Sequence, residues 1–108
     1  MIQICICEDE KIQLEFWKRI IEDYIKSAKI MAEIVSARQN PQDILNDIEQ
    51  CDNSQRLFFI DIQMPEYDMN GLELARKLRE KNSDDYLVFI TSKDDLAYKV
   101  FEYQLDVL

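Results

Sequence analysis

Five polar positions stand out because each follows directly on an apolar run. Glu8 and Asp9 follow Ile2–Cys7, Asp61 follows Leu57–Ile60, and Thr91 with Ser92 follows Tyr86–Ile90. Carboxylates gathered without a counter-ion repel and raise one another's pKa values; a hard divalent cation reverses that logic. Mg²⁺ takes oxygen ligands in octahedral geometry at about 2.0–2.1 Å and keeps several waters, so two or three acids and a backbone carbonyl meet its demand. An aspartate beside such an ion can attack phosphorus as a nucleophile, while the ion offsets charge on the transferring phosphoryl group. Thr91 could then donate its hydroxyl to a phosphoryl oxygen. Taken singly, each residue has a plainer reading: a strand-end Asp is often a helix cap, and a strand-end Thr reflects β propensity. Their joint placement at three run ends favours the chemistry.

The elements that must position these residues alternate along the chain. Ile2–Cys7 predicts a first strand. Ile12, Phe16 and Ile20, with Trp17, Ile21 and Tyr24, recur at three and four residues and predict one apolar helical stripe. Ala32 to Ala37, β-branched at its centre, predicts a second strand. Asn40-Pro41 supplies an N-cap followed by proline at the first helical position, ahead of an apolar face of Ile44, Leu45 and Ile48. Leu57–Ile60 is continuously apolar, as in a strand covered on both faces. After a loop holding Pro65 and the chain's only glycine, Gly71, a helix is predicted through Leu72, Ala75 and Leu78. Tyr86–Ile90 predicts the fourth strand. Ser92 and Asp95 form a capping pair for a helix through Ala97, Val100 and Phe101. Strand–helix alternation of this kind predicts an α/β fold with an open, mostly parallel, doubly wound sheet. Right-handed crossovers put helices on both faces, and chemistry gathers outside the carboxyl ends of the strands. Glu8, Asp9 and Asp61 should therefore meet at one edge, from adjacent strands.

Composition narrows the remaining classes. With 108 residues the chain is one domain, 1–108, and nearly half its residues are apolar. Thirteen basic residues against 22 acidic ones give a net charge of −9, which argues against the domain itself binding nucleic acid or an anionic membrane surface. The longest apolar run, Tyr86–Ile90, is far short of a membrane span. The apolar N-terminus has no basic segment before it and reads as a strand, not a signal peptide, so the cytoplasm is the expected location. No histidine is present, which excludes His-based catalysis and a Cys/His zinc site. Cys5, Cys7 and Cys51 form no metal pattern and are expected to be small reduced core residues, with Cys5 and Cys7 on opposite faces of their strand. Trp17 and the aromatic set Tyr98, Phe101 and Tyr103 read as core or interface packing, and Lys77, Arg79 and Lys81 as a solvated helix face.

Three segments carry a resemblance. Cys5-Ile6-Cys7-Glu8-Asp9-Glu10, then Phe59-Ile60-Asp61-Ile62-Gln63-Met64-Pro65 with Asn70-Gly71-Leu72-Glu73-Leu74, then Phe89-Ile90-Thr91-Ser92, resemble the signature segments of CheY-like receiver domains of two-component response regulators. The tail Ala97-Tyr98-Lys99-Val100-Phe101-Glu102-Tyr103 resembles receivers of the LytTR class of transcription regulators. The resemblance implies a flavodoxin-like sheet of order 2-1-3-4, with Mg²⁺ as cofactor and a sensor histidine kinase as phosphoryl donor. It makes Asp61 the phosphoacceptor, Asp9 a direct metal carboxylate beside Asp61, Glu8 a ligand through water, and the backbone carbonyl of Gln63 a further ligand. Thr91 becomes the switch hydroxyl, and Ser92 the small residue that leaves the donor room. The chain would be a switch, with phosphotransfer and dephosphorylation self-catalysed. DNA would be reached only through a C-terminal output domain outside this chain.

Two departures bear on that reading. Gly71 lies ten positions after Asp61, two more than is common in receivers, so the Pro65–Asn70 loop should bulge. The family's fifth strand, its terminal lysine and its fifth helix have no counterpart here: the last lysine is Lys99, and Gln104–Leu108 resembles only the lead-in to that strand. An unpaired apolar fourth strand invites pairing. The chain is thus expected to be unstable alone, to associate with a second copy through the strand four and helix four region, or to be part of a longer natural chain; autophosphorylation should be impaired without the lysine. Two other readings compete. A small Mg²⁺-dependent phosphohydrolase would want a second acid two positions after Asp61, where Gln63 stands, and a substrate cap. A receiver that folds without being phosphorylated is argued against by Glu8, Asp9, Asp61 and Thr91 for a full-length protein and stays open for these 108 residues alone.

Overall fold

The computed structural model describes residues 1–50 and 55–90. Cys51, Thr91, Ser92, the helix expected through Ala97 to Phe101 and the Gln104–Leu108 lead-in all lie outside the described residues.

The described elements run β1 (Ile2–Cys7), α1 (Lys11–Ala28), β2 (Ala32–Arg38), α2 (Pro41–Ile48), β3 (Arg56–Asp61), α3 (Gly71–Lys81) and β4 (Tyr86–Ile90). All strand pairings are parallel, in the order β2-β1-β3-β4. This is the order expected for a doubly wound sheet, in which β1 lies inside because its two neighbours come from later in the chain. Successive residues of each strand face opposite layers. Cys5, Cys7, Phe58, Ile60, Leu87 and Phe89 pack under α2 and α3 against Ile44, Leu45, Ile48, Leu74, Ala75 and Leu78. Ile4, Ile6, Leu57 and Phe59 face α1 on the other side.

Two expectations fail here. Cys5 and Cys7 share one layer instead of straddling the strand, because residues two apart on a strand point the same way. On α1, the side chains turned to the sheet are Leu14, Trp17, Ile21 and Ile25, whereas Ile12, Phe16, Ile20 and Tyr24 are exposed. The predicted stripe therefore divides: Trp17 and Ile21 belong to the inner row and the others to an outer row. Helix α1 carries apolar residues around most of its circumference, and contact with β1 and β2 decides which row is buried.

Helix starts follow local chemistry. The Asn40 side chain accepts from the Gln42 N–H at 3.0 Å, with Pro41 at the first helical position. The Asn70 side chain accepts from the Glu73 N–H at 2.9 Å. Each satisfies a donor that a helix terminus otherwise leaves orphaned. In β2 the register against β1 slips between Ile4 and Cys5, whose partners are Ile34 and Ser36. Val35 is the extra residue of a bulge, and Ser36 turns towards α2, where its hydroxyl donates to Asp47 at 2.6 Å.

The amino end of the sheet is closed by an ion-pair network. Arg56, at the start of β3, donates from Nε to Asp85 Oδ1 at 3.2 Å and places a terminal nitrogen 3.2 Å from Oδ2. Both side chains are almost fully buried. Asn82 donates its amide to the same carboxylate at 3.2 Å, while Arg79 donates to the backbone carbonyls of Ser83 and Asp85 at 2.7 and 2.6 Å. These contacts tie the end of α3 to the starts of β3 and β4, and they give Arg79 a structural role where a solvated helix face was expected. No helix among the described residues is long and apolar enough to cross a membrane.

Candidate metal and phosphoacceptor site

The parallel register sets Cys7 beside Ile60, so the residues after them emerge side by side at the carboxyl end of the sheet. Adjacent strands lie about 4.8 Å apart. That spacing brings Glu8 and Asp9, from the turn after β1, against Asp61 at the end of β3. One carboxylate oxygen from each of the three lies within 4.8 Å of the other two. Opposite positions about a six-coordinate Mg²⁺ are about 4.2 Å apart, so the donor set fits such an ion with a small inward movement or with one acid acting through water. All three donors are hard oxygens. From the adjacent strands β1 and β3 the chain leaves in opposite directions, β1 towards β2 and β3 towards β4, and such a switch point is where doubly wound sheets hold ligands.

Electrostatics set these acids apart from the rest. Glu8 is 7% exposed and Asp61 is half-buried. Burial, with the neighbouring Asp9 and Asp61, pushes the Glu8 carboxyl up to about 8, against a smaller opposing pull from the Glu10 N–H. Burial and the adjacent Asp9 push Asp61 up to about 6, while Glu8 and the Gln63 N–H draw it down. Both shifts run the same way: the cluster resists holding all of its negative charge without a counter-ion. Burial first, then Asp61, Glu8 and Asp9, pushes the Cys7 thiol far above its ordinary value, making it an inert core residue. Among the described residues, no Lys or Arg forms an ion pair with Glu8, Asp9 or Asp61.

The site is held by its surroundings. The Glu8 N–H extends the ladder to β2 by donating to Arg38 O at 3.1 Å. The Glu10 N–H donates to Glu8 Oε2 at 3.1 Å, and the Gln39 amide donates to the Asp9 carbonyl at 2.9 Å. Gly71 donates its N–H to Ile62 O at 2.9 Å. A Cβ at Gly71 would stand 2.1 Å from the Asp61 carbonyl oxygen and 2.8 Å from the Ile62 Cα. Only glycine lets α3 start this close to the backbone that carries Asp61. The ten-residue step from Asp61 to Gly71 folds back on the core: Met64 is buried and receives the Cys7 thiol at 3.5 Å, Tyr67 N–H donates to Met64 O, and Tyr67 and Met69 pack at the core's edge.

Glu8, Asp9 and Asp61 are thus brought together, with Gln63 exposed two residues beyond Asp61. Sequence reasoning missed Gln39, which meets Asp9 from 30 positions away, and the reason for Gly71. A lone glycine between a strand and a predicted helix was the signal for the second; nothing local signalled the first.

Comparison with known proteins agrees with the architecture. Residues 4–107 match the family model described as the response regulator receiver domain. Accessory gene regulator protein A of Staphylococcus epidermidis is 33% identical over 104 residues, and that of Staphylococcus aureus 34%; each match covers 96% of this chain. The chain spans 43% of the length of these relatives. Among solved structures, the response regulator TrrA of Thermotoga maritima, in complex with Mg²⁺ and BeF, superposes with a TM-score of 0.77 at 23% identity, over 99% of this chain and 84% of that one. A LuxR-family DNA-binding response regulator from Staphylococcus aureus also gives 0.77, at 21% identity over 99% and 83%. Four parallel strands in the order 2-1-3-4, the acids at the β1 and β3 ends and a family match spanning nearly every residue lead to one conclusion: the chain belongs to the response regulator receiver domain family.

Proposed function

We propose that residues 1–108 are a receiver domain whose phosphoacceptor is Asp61 and whose phosphoryl donor is a sensor histidine kinase. The observation that carries this reading is the convergence of Glu8, Asp9 and Asp61 within 4.8 Å. An ionised Asp61 oxygen attacks phosphorus; the new O–P bond forms as the P–N bond of the donor phosphohistidine breaks, and the imidazole keeps the bonding pair. Asp9 and Asp61 would hold Mg²⁺ directly, Glu8 through water, and Gln63 through its backbone carbonyl. When bound, Mg²⁺ supplies the positive charge that offsets charge on the transferring phosphoryl group. The Gln63 N–H holds the Asp61 carboxylate, and the close approach of Gly71 braces the backbone that carries it.

Thr91 is the hydroxyl that moves towards the new phosphoryl group, Ser92 leaves the donor room, and the face around β4 changes shape. The chain's own catalysis is confined to phosphotransfer and dephosphorylation. The relatives' greater length supports an output domain beyond the receiver, and the tail resemblance favours the LytTR class. That domain, not this acidic one, would bind DNA in the cytoplasm. A second copy would associate through the β4 region.

The experiment is incubation with a small-molecule phosphodonor and Mg²⁺, followed by intact mass. The wild-type chain should gain one phosphoryl group and Asp61→Asn none. A phosphorylated Asp61→Asn chain, or a wild-type chain that never gains mass, contradicts the proposal.

A further inference from the structure

Asp9 and Glu8 sit on a short turn between β1 and α1, and that turn has little of its own to hold it. Glu10, the N-cap of α1, makes no side-chain capping hydrogen bond. The peptide group joining Asp9 to Glu10 is instead gripped at both ends. Its carbonyl accepts from Gln39 Nε2 at 2.9 Å, and its N–H donates to Glu8 Oε2 at 3.1 Å. Gln39 lies just past the end of β2, half-buried, in a segment anchored by the Glu8 N–H to Arg38 O bond and by the Asn40 cap of α2.

We infer that Gln39 is a positioning residue for the metal site: by holding the Asp9–Glu10 peptide plane it fixes where the Asp9 carboxylate emerges and aims the Glu10 N–H at the Glu8 carboxylate. Three groups form a chain, Gln39 amide to Asp9 carbonyl, then through the shared peptide from Glu10 N–H to Glu8. Donation to the carbonyl polarises the peptide and strengthens its N–H as a donor. Without the amide the peptide is held only through its N–H to Glu8, and both acids lose part of their fixed aim. Partners outside the ligand shell commonly control metal affinity in this way, with losses of roughly 10–100-fold on removal. A half-exposed single hydrogen bond contributes little to global stability by comparison.

The inference rests on the proposed Mg²⁺ site, and the test separates the two. Calorimetric Mg²⁺ titrations compare the wild-type full chain with Gln39→Met, which keeps the length but not the donor, and Gln39→Ala. Melting in EDTA is followed in parallel. Both variants should bind Mg²⁺ roughly tenfold more weakly, with melting in EDTA nearly unchanged. In the unaltered chain, NMR should detect scalar coupling across the hydrogen bond between the Gln39 side-chain nitrogen and the Asp9 carbonyl carbon. Variant affinities within twofold of wild type, or absence of that coupling, overturn the role of Gln39 while leaving the site intact. A wild-type chain that binds no Mg²⁺ overturns the site, and this role with it.

Discussion

The two ends of the β-sheet treat buried acids in opposite ways. At the amino end Asp85 lies against Arg56 and Asn82, so the chain supplies the positive charge beside its carboxylate and two donors to its Oδ1. At the carboxyl end three acids converge and, among the described residues, no basic side chain is ion-paired with them. Burial raises Glu8 to about 8 and Asp61 to about 6. The same physical problem is solved internally at one end and left open at the other. A buried, self-neutralised pair ties elements together; a buried, uncompensated cluster stores repulsion that an external cation relieves. The amino end of this receiver thus pairs its buried acid, and the carboxyl end gathers three that no basic side chain among the described residues pairs.

Breaking the amino end should have the largest effect on folding. Arg56→Met leaves Asp85 charged and buried, which typically costs about 3–5 kcal/mol. Urea denaturation should show that loss, while the fraction still folded binds Mg²⁺ with unchanged affinity. A parallel loss of Mg²⁺ affinity would mean that the two ends are not separable.

At the carboxyl end pH sharpens the contrast. Glu8 and Asp61 hold protons in the folded chain at pH values where the unfolded chain, with ordinary carboxylates near 4.5 and 3.8, has released them. Their contribution is therefore fully present below about pH 4 and is lost as pH rises through about 6 and about 8. Because Asp61 is only half-buried, the loss should be on the order of 1–2 kcal/mol after solvent screening. Denaturation midpoints in EDTA should fall between pH 5.5 and pH 8.5 values (roughly the span of the two titrations). Saturating Mg²⁺ or Glu8→Gln should flatten the slope. A midpoint that climbs with pH in EDTA would contradict the raised values.

The smallest effect belongs to an acid on the flank. Asp47 accepts from Ser36 at 2.6 Å and from half-exposed Arg38 at 2.8 Å, and the Arg38 guanidinium holds its carboxyl below the usual range. Asp47→Ala should cost about 1 kcal/mol, read from the same urea curves, without altering the pH slope of the carboxyl end.

Much of this arrangement was legible because it is local. Continuous apolar runs marked β3 and β4, Asn40-Pro41 marked the start of α2, and each acid of the site stands directly after the apolar run of a strand. The α1 stripe was not legible, since Ile12, Phe16, Ile20 and Tyr24 satisfy helical spacing as well as Leu14, Trp17, Ile21 and Ile25 do; only the sheet distinguishes them. The Cys5–Cys7 expectation failed on strand periodicity itself. Arg56–Asp85 and Gln39–Asp9 join residues 29 and 30 positions apart, a separation at which neither spacing nor propensity carries a signal. The grouping of the three acids could thus be read from strand ends, whereas the contacts that brace it could not.

Titration of Mg²⁺ into ¹⁵N-labelled protein tests the contrast between the ends most directly. The amides of Asp9, Glu10, Ile62 and Gln63 should shift together with one dissociation constant, and those of Arg56 and Asp85 should stay in place. Shifts centred away from the β1 and β3 ends, or no saturable shift at all, would contradict the account.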